Sequence, residues 1–362
     1  MELRLINSDI STIKEVFMKK IIINLLLSIF ILGNSYAQTQ IHIAGIDGSD
    51  AAYWLNGRHT VLPKLGEWAQ AKAMAVSGSN IYIVGNDELD AVYWLNGRRT
   101  ILPRLGERAE ANAIAVSGSN IYIVGYDDSE AVYWLNGKRT ILPRSESKKS
   151  WARARANAIA VSGSNVYIAG LDDNGDDGCY AVYWLNGERI ELPRNYEYGN
   201  GANANAIAVS GSDVYVAGYN VFEVAYWLNG RLTVLPESRQ LGGEAQRANA
   251  IAVSGSNVYI IGHGGGGGGV DTAGYWLNGR FTILPKSRNS PRDTTRFDTT
   301  ANAIFISGSN VYIAGSDGWN GYYNDVGFTG GTNAVYWLDG RMIVLPKSGD
   351  IAKANAIVVV RN

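Results

Sequence analysis

Short apolar runs of three to six residues recur along the chain, each bounded by Gly, Asn, Ser or Pro. One stretch shows the pattern. Ala111-Asn112-Ala113-Ile114-Ala115-Val116 is followed by the polar Ser117-Gly118-Ser119-Asn120. Then come Ile121-Tyr122-Ile123-Val124-Gly125, Ala131-Val132-Tyr133-Trp134-Leu135, the pair Asn136-Gly137, and Thr140-Ile141-Leu142 stopped by Pro143. Runs this short, rich in β-branched and aromatic residues, predict strands. Asn-Gly predicts a tight hairpin, because both of its turn positions need positive φ. Ser-Gly-Ser-Asn predicts a second turn. Pro ends the last strand because it cannot donate to a ladder. The strands are apolar on both sides: Val92 and Trp94 point one way, Tyr93 and Leu95 the other. A sheet of such strands must be covered on both faces.

The same unit occurs seven times. Tyr-Trp-Leu-Asn/Asp-Gly begins at Tyr53, Tyr93, Tyr133, Tyr183, Tyr226, Tyr275 and Tyr336. The Ala-Asn-Ala-Ile-Ala-Val string begins at Ala71, Ala111, Ala156, Ala204, Ala248 and Ala301, and returns truncated at Ala354. Repetition at this period marks stacked supersecondary units. Each unit reads as four strands: a (Ala-Asn-Ala-Ile-Ala-Val), b (Val-Tyr-Ile-Ala-Gly), c (Ala-Val-Tyr-Trp-Leu) and d (Thr-Ile-Leu). Four-stranded sheets stacked face to face around an axis satisfy the two-sided pattern. The expectation is therefore all-β: a seven-bladed β-propeller of antiparallel blades, one domain over residues 38–362. The repeat region opens at a strand b, Ile41-His42-Ile43-Ala44-Gly45, and finishes with a lone strand a, Ala354 to Val360. That last strand is predicted to complete the first blade and close the ring.

The a–b–c–d order, with a Trp near the end of strand c and a turn after it, is similar to WD40 and kelch blades over residues 41–360. No Gly-His precedes strand a, and Leu rather than Asp follows the Trp. The units resemble more closely those of uncharacterised exported bacterial β-propeller proteins with Tyr-Trp-x-Asn-Gly repeats. That resemblance implies fold and export, and brings no catalytic residues.

Export is also expected from the N-terminus. Lys19-Lys20, the apolar Ile21 to Leu32 and the small-x-small Ser35-Tyr36-Ala37 follow in the order of a signal peptide. The apolar run is too short to span a bilayer of about 30 Å as a helix. Residues 1–37 are thus expected to be removed, with Met18 a natural start, leaving a periplasmic, outer-surface or extracellular chain with no membrane span. The formal net charge of −1, or −2 without residues 1–37, gives no long-range attraction to nucleic acid. Cys179 is the single cysteine and there are three histidines. An intramolecular disulfide, a multi-Cys zinc site and an iron–sulfur centre are therefore excluded by count.

The seven copies differ in an ordered way. Tyr of strand c to Pro of strand d is ten positions in all seven. The b–c connections, in contrast, hold 7, 7, 7, 12, 7, 12 and 20 residues, and the d–a connections 7, 7, 12, 10, 11, 15 and 7. In an antiparallel meander, a–b and c–d turns share one rim, and b–c and d–a loops share the other. All length variation therefore falls on one rim, where binding is usually built on a rigid scaffold.

Candidate ligand-binding residues on that rim are Trp68, Trp151, Tyr196, Tyr198, Trp319, Tyr322 and Tyr323. Aromatics among Asn and Gly suit stacking against sugar rings or insertion into a protein partner. The seven repeated Trp residues are instead expected in the inter-blade core. A recurring strand-a Asn (Asn112, Asn157, Asn205, Asn249, Asn302, Asn355), with Lys72 in the seventh copy, is expected to bond loop backbone between blades. Arg58, Arg98, Lys138, Arg231, Arg280 and Arg341 fall on the opposite rim as a solvated edge. Asp172, Asn174 and Asp176 alternate as in a calcium loop, with Gly178 one position late and Tyr183 where a Glu would close the shell. Ca2+ is the one cofactor for which residues can be named.

Three functional classes fit: a secreted module binding a glycan or surface protein, an envelope docking propeller, and a propeller-type glycoside hydrolase. The last needs two carboxylates converging at about 5–9.5 Å. Asp90, Glu130, Asp176 and Asp325 are the acids available on the insertion-bearing rim, and none breaks the repeat in a telling way. The chain is expected to be a monomeric binding protein.

Overall fold

A computed structural model describes residues 39–147, 149–175, 178–195, 201–221, 223–236, 245–265, 272–287, 298–324 and 327–361. The leader expected over residues 1–37 lies outside them. The described residues form seven four-stranded antiparallel sheets. No helix among them is long and apolar enough to cross a membrane. In blade 2 the strands are a (Ala69–Ser77), b (Asn80–Asp87), c (Asp90–Leu95) and d (Arg98–Ile101). Blade 1 is assembled from both ends of the chain. Its strand a is Ala352–Arg361, beside b (Thr39–Asp47), c (Asp50–Leu55) and d (Arg58–Val61). The ring is a closed seven-bladed β-propeller, and closure leaves no long open edge.

The local rules of the sequence operate in every blade. At the c–d turn Asn96 and Gly97 take φ of 50° and 81°, and the other six copies repeat this pair of positive values. The turn Asn (Asp339 in the last copy) also accepts a bond through Oδ1 from the amide of the Ile or Val that opens the apolar run of strand b, at 2.8–2.9 Å. Asn96 Nδ2 reaches Asn80 Oδ1 at 2.9 Å, tying the c–d turn to the a–b turn on one rim. Strand a carries a bulge after its first repeat Ala, between Ala71 and Ala73 in blade 2. Opposite it stands the strand-b glycine Gly85, where a Cβ would land on the Gln70 carbonyl oxygen. The bulge is thus why every strand b ends its apolar run in Gly.

The core lies between blades. Each buried cluster draws on two neighbours, as where Ala44, Ala51 and Leu62 of blade 1 meet Met74, Ile83 and Trp94 of blade 2. All seven repeated Trp side chains are fully buried. Each donates its indole N–H to the carbonyl of the Pro ending strand d of the preceding blade, at 2.7–2.9 Å. Burial satisfies the large apolar ring, and the Pro carbonyl satisfies its one donor. Trp54 to Pro346 makes this bond across the joint between the chain's two ends.

The strand-a asparagines form a second ring, nearer the axis. Asn112 Nδ2 donates to the Ala156 carbonyl of the next blade's strand a. Asn157, Asn205, Asn249, Asn302 and Asn355 do likewise, all at 2.7–3.0 Å, and Asn355 reaches Ala71 across the closure. The sequence placed these bonds on loops; they run from strand to strand, because the bulge turns the Asn toward its neighbour. Lys72 stands in the remaining position and bonds Asn112 Oδ1 at 3.0 Å.

Candidate functional site

The rim bearing the b–c and d–a loops is anchored by strand-b carboxylates. Two residues after the strand-b glycine stand Asp47, Asp87, Asp127, Asp172 and Asp317, all buried. Asp87 accepts the amides of Leu65 and Gly66 in the d–a loop, at 2.8 and 3.0 Å. Asp127 does the same for Leu105 and Gly106, and Asp47 for Ser348 and Gly349. Burial alone would raise the Asp47 carboxyl. The Ser348 hydroxyl and amide, the Gly349 amide and His59 outweigh it and hold the carboxyl below its ordinary range.

Each of the first four carboxylates also meets a basic side chain from strand d, an Arg in three blades and His59 in blade 1. Arg99 lies 2.7 Å from Asp87, Arg139 2.7 Å from Asp127, Arg189 2.6 Å from Asp172, and His59 3.2 Å from Asp47. Where blade 5 has Asn220 instead, strand d has Leu232; where blade 6 has Gly264, it has Phe281. In blades 5 and 6 both charges are absent, as expected where an unpaired buried cation is unfavourable; blade 7 keeps Asp317 where strand d has Met342, and there the Ser287 amide and hydroxyl donate to the carboxylate. In the sequence this signal shows only when the matched copies are aligned with one another.

This frame bears on the calcium expectation. Asp172 is fully buried, paired with Arg189, and accepts the Ser145 amide at 2.7 Å. It does the work its counterparts do in blades 1–3, which have no Asp-Asn-Gly loop. Asn174 is half-buried, and Asp176 lies outside the described residues. No group of three or more His, Cys, Asp or Glu side chains arranged for a metal occurs among the described residues.

Acids considered for hydrolysis are likewise engaged. Asp90 pairs with Arg104 at 2.8 Å and Glu130 with Arg144 at 3.4 Å, each within its own blade. Asp176 and Asp325 lie outside the described residues. Cys179 is half-buried, and burial, with Asp173 beside it, pushes its thiol up to about 11. It is a protonated, weakly nucleophilic thiol at neutral pH.

The aromatic candidates divide by loop length. Trp68, in a seven-residue connection, is 40% exposed, and its carbonyl accepts the Glu88 amide at 3.0 Å. Trp151 is 62% exposed and leans over the neighbouring b–c loop, its indole N–H 3.3 Å from the Gly175 carbonyl, with the Lys149 ammonium 5.4 Å from its ring. Tyr196 and Tyr198 lie outside the described residues. Trp319, Tyr322 and Tyr323 fall on the extended strand b of blade 7, Asn310–Asn324, whose backbone pairs them with Gly331, Thr329 and Phe328. The loop expected there is in large part a hairpin continuing the blade beyond the ring.

Three leucines escaped the sequence reading. Leu65 and Leu105 occupy matching d–a positions and are 81% and 84% exposed, and Leu89 on the adjoining b–c turn is also exposed. With Trp68 they give blades 2 and 3 an apolar rim. Their signal was an apolar residue inside a short polar turn, hidden because Ser348 takes the same position in the third short copy.

Neither a protein-family model nor a curated protein matches the chain. Among solved structures, a candidate 6-phosphogluconolactonase from Bacteroides fragilis is similar at 12% identity and a TM-score of 0.49, covering 91% of this chain and 99% of that one. The computationally designed Ika8 protein is similar at 15% identity and a TM-score of 0.41, over 89% and 91% of the two chains. A chain of a nidogen/laminin complex aligns at 15% identity and a TM-score of 0.39, over 66% and 89%. The propeller assignment therefore rests on the strand order and ring closure described above.

Proposed function

We propose that the chain is an exported binding module that recognises a glycan through the rim carrying its b–c and d–a loops. One observation carries the reading: on one rim the c–d turn is the same length in all seven blades and the a–b turn in the six that have one, while every length change and the exposed Trp68 and Trp151 sit on the other. A scaffold with one uniform and one diversified rim suits recognition, since loops change shape there without disturbing the inter-blade core. Flat, exposed indoles anchored by backbone contacts provide faces for sugar rings. Export is proposed on the basic, apolar and small-residue order of residues 18–37.

A protein-docking role is the second reading, favoured by Leu65, Leu89 and Leu105. Exposed leucines beside a Trp suit a protein surface better than a carbohydrate. A glycan array probed with the purified chain, in calcium and again in chelator, separates these readings. Binding to a defined sugar family, weakened in Trp68→Ala or Trp151→Ala, supports the first. A blank array overturns it in favour of docking, and loss of binding in chelator assigns a cation a part in recognition.

A further inference from the structure

At the insertion-bearing rim, strand a begins and lines the axis. The residue just before the first repeat Ala is charged in four blades: Lys353, Glu110, Arg155 and Arg247, in blades 1, 3, 4 and 6. The bulge that follows it presents Lys72 in blade 2, and Arg108 stands two residues outward of Glu110. Glu110 is accounted for, since Lys72 and Arg108 both bond its carboxylate. Burial alone would raise this carboxyl; Lys72, Tyr126 and Arg108 overcome it and hold the group ionised.

Arg155, Arg247 and Lys353 have no carboxylate within ion-pair distance among the described residues. The Arg155 guanidinium lies 4.4 Å over the Tyr126 ring of the preceding blade, and Arg247 stands 5.8 Å over Tyr219 in the same relation. The Arg155 Nε is buried without an acceptor. These cations act across blade boundaries. Arg155 bears on Lys72, while Arg247, Lys353 and Asp298 all bear on His263. Six cations, with Arg153 counted and paired to Asp173 at 3.7 Å, thus face three acids at the inner ends of the strands, in a chain whose formal net charge is −1. A partly buried excess of one sign focuses a field at its opening and favours a counter-ion from outside. A guanidinium placed over an aromatic ring can still offer its N–H edge to a planar carboxylate. Trp68 lies two residues outward of Gln70, the blade 2 counterpart of these residues, and supplies an exposed ring face.

We propose that the mouth of the central channel, at Arg155, Arg247 and Lys353, binds the carboxylate of an acidic sugar. This deepens the glycan reading and rests on it for the sugar, whereas the anion site stands on the charges alone. The test has two arms with the full chain, the Arg247→Gln variant and the Arg155→Gln/Arg247→Gln/Lys353→Gln triple variant. In the first, thermal unfolding is followed with citrate or sulfate against sodium chloride of equal ionic strength. The midpoint is expected to rise with citrate in the native chain, less in Arg247→Gln and not in the triple variant. An equal response in all three, or none in the native chain, overturns the anion site. In the second, calorimetry compares trigalacturonate with its methyl ester. The acid is expected to bind at least tenfold more tightly, and the triple variant to bind both alike. Equal affinity of the native chain for both forms overturns the proposal. If neither form binds while citrate still stabilises, the acidic sugar is wrong and the anion site stands. Arg247 is exposed, so Arg247→Gln folds as the native chain does and keeps both arms decisive should the triple variant unfold.

Discussion

The two rims of this propeller are built from the same strands and differ in every other respect. On the hairpin rim, seven Asn/Asp-Gly turns share one backbone geometry and one side-chain bond to strand b. On the opposite rim, connections range from 7 to 20 residues and carry Trp68, Trp151, Leu65 and Leu105. The difference lies in what holds each in place. A two-residue turn is fixed by its own φ requirements and tolerates no insertion. A d–a loop is fixed by a buried Asp that grips only its first amides, so the remainder can lengthen freely. Uniformity on one rim and diversity on the other thus follow from where the backbone is tied.

That comparison can be broken at its foundation first. Deleting residues 354–362 removes the closing strand and buried Ala354, Ile357 and Val359, and is expected to cost more than about 5 kcal/mol. An unchanged denaturation midpoint would show that the ring does not depend on it. Trp94→Ala removes an inter-blade ring and orphans the Pro63 carbonyl. Its expected cost is about 3–5 kcal/mol, read by urea unfolding, with binding at the loop rim retained in the folded fraction.

The loop anchors come next. Asp127→Asn leaves Arg139 half-buried without its counter-charge and is expected to cost about 2 kcal/mol. Adding Arg139→Leu reproduces the Asn220–Leu232 pair of blade 5 and is expected to recover at least half of that loss. A double variant no better than the single would mean the matched copies reflect no coupling.

A smaller effect concerns pH. His263 accepts a bond from Asn249 Nδ2 at 2.7 Å, and burial, followed by Arg247 and Lys353, lowers its pKa to about 4 from 6.5. Between these values the unfolded chain binds more protons, so stability falls as pH drops from 6.5 toward 4. This residue contributes no slope above 6.5. His263→Gln should flatten the slope in that window, and His42, also lowered by burial, should preserve part of it. Smallest of all is the expected stability change in Trp68→Ala, below about 0.5 kcal/mol, because its exposed ring is not part of the inter-blade packing.

The fold was legible because its instructions are local and repeated. Asn-Gly, the strand-ending Pro and the two-sided apolar runs each fix a short segment, and seven copies average out the exceptions. Ring closure was legible from a strand b without its strand a at one end and the converse at the other. The candidate site was less so. The Asp–Arg anchors join residues about a dozen positions apart whose pairing is visible only when copies are compared. Arg155, Arg247 and Lys353 became a group only once strand a was seen to line the axis, with its bulge setting which residues face inward. The Asn ring was foreseen as inter-blade but assigned to loops, because a bulge leaves no mark in composition beyond its opposing glycine.

The division between the rims is tested most directly by binding on the glycan array with paired variants. Trp68→Ala on the loop rim should abolish or reshape the native profile, while Arg98→Gln on the hairpin rim should leave it intact. A profile lost in Arg98→Gln and unchanged in Trp68→Ala would place recognition on the uniform rim and contradict the account.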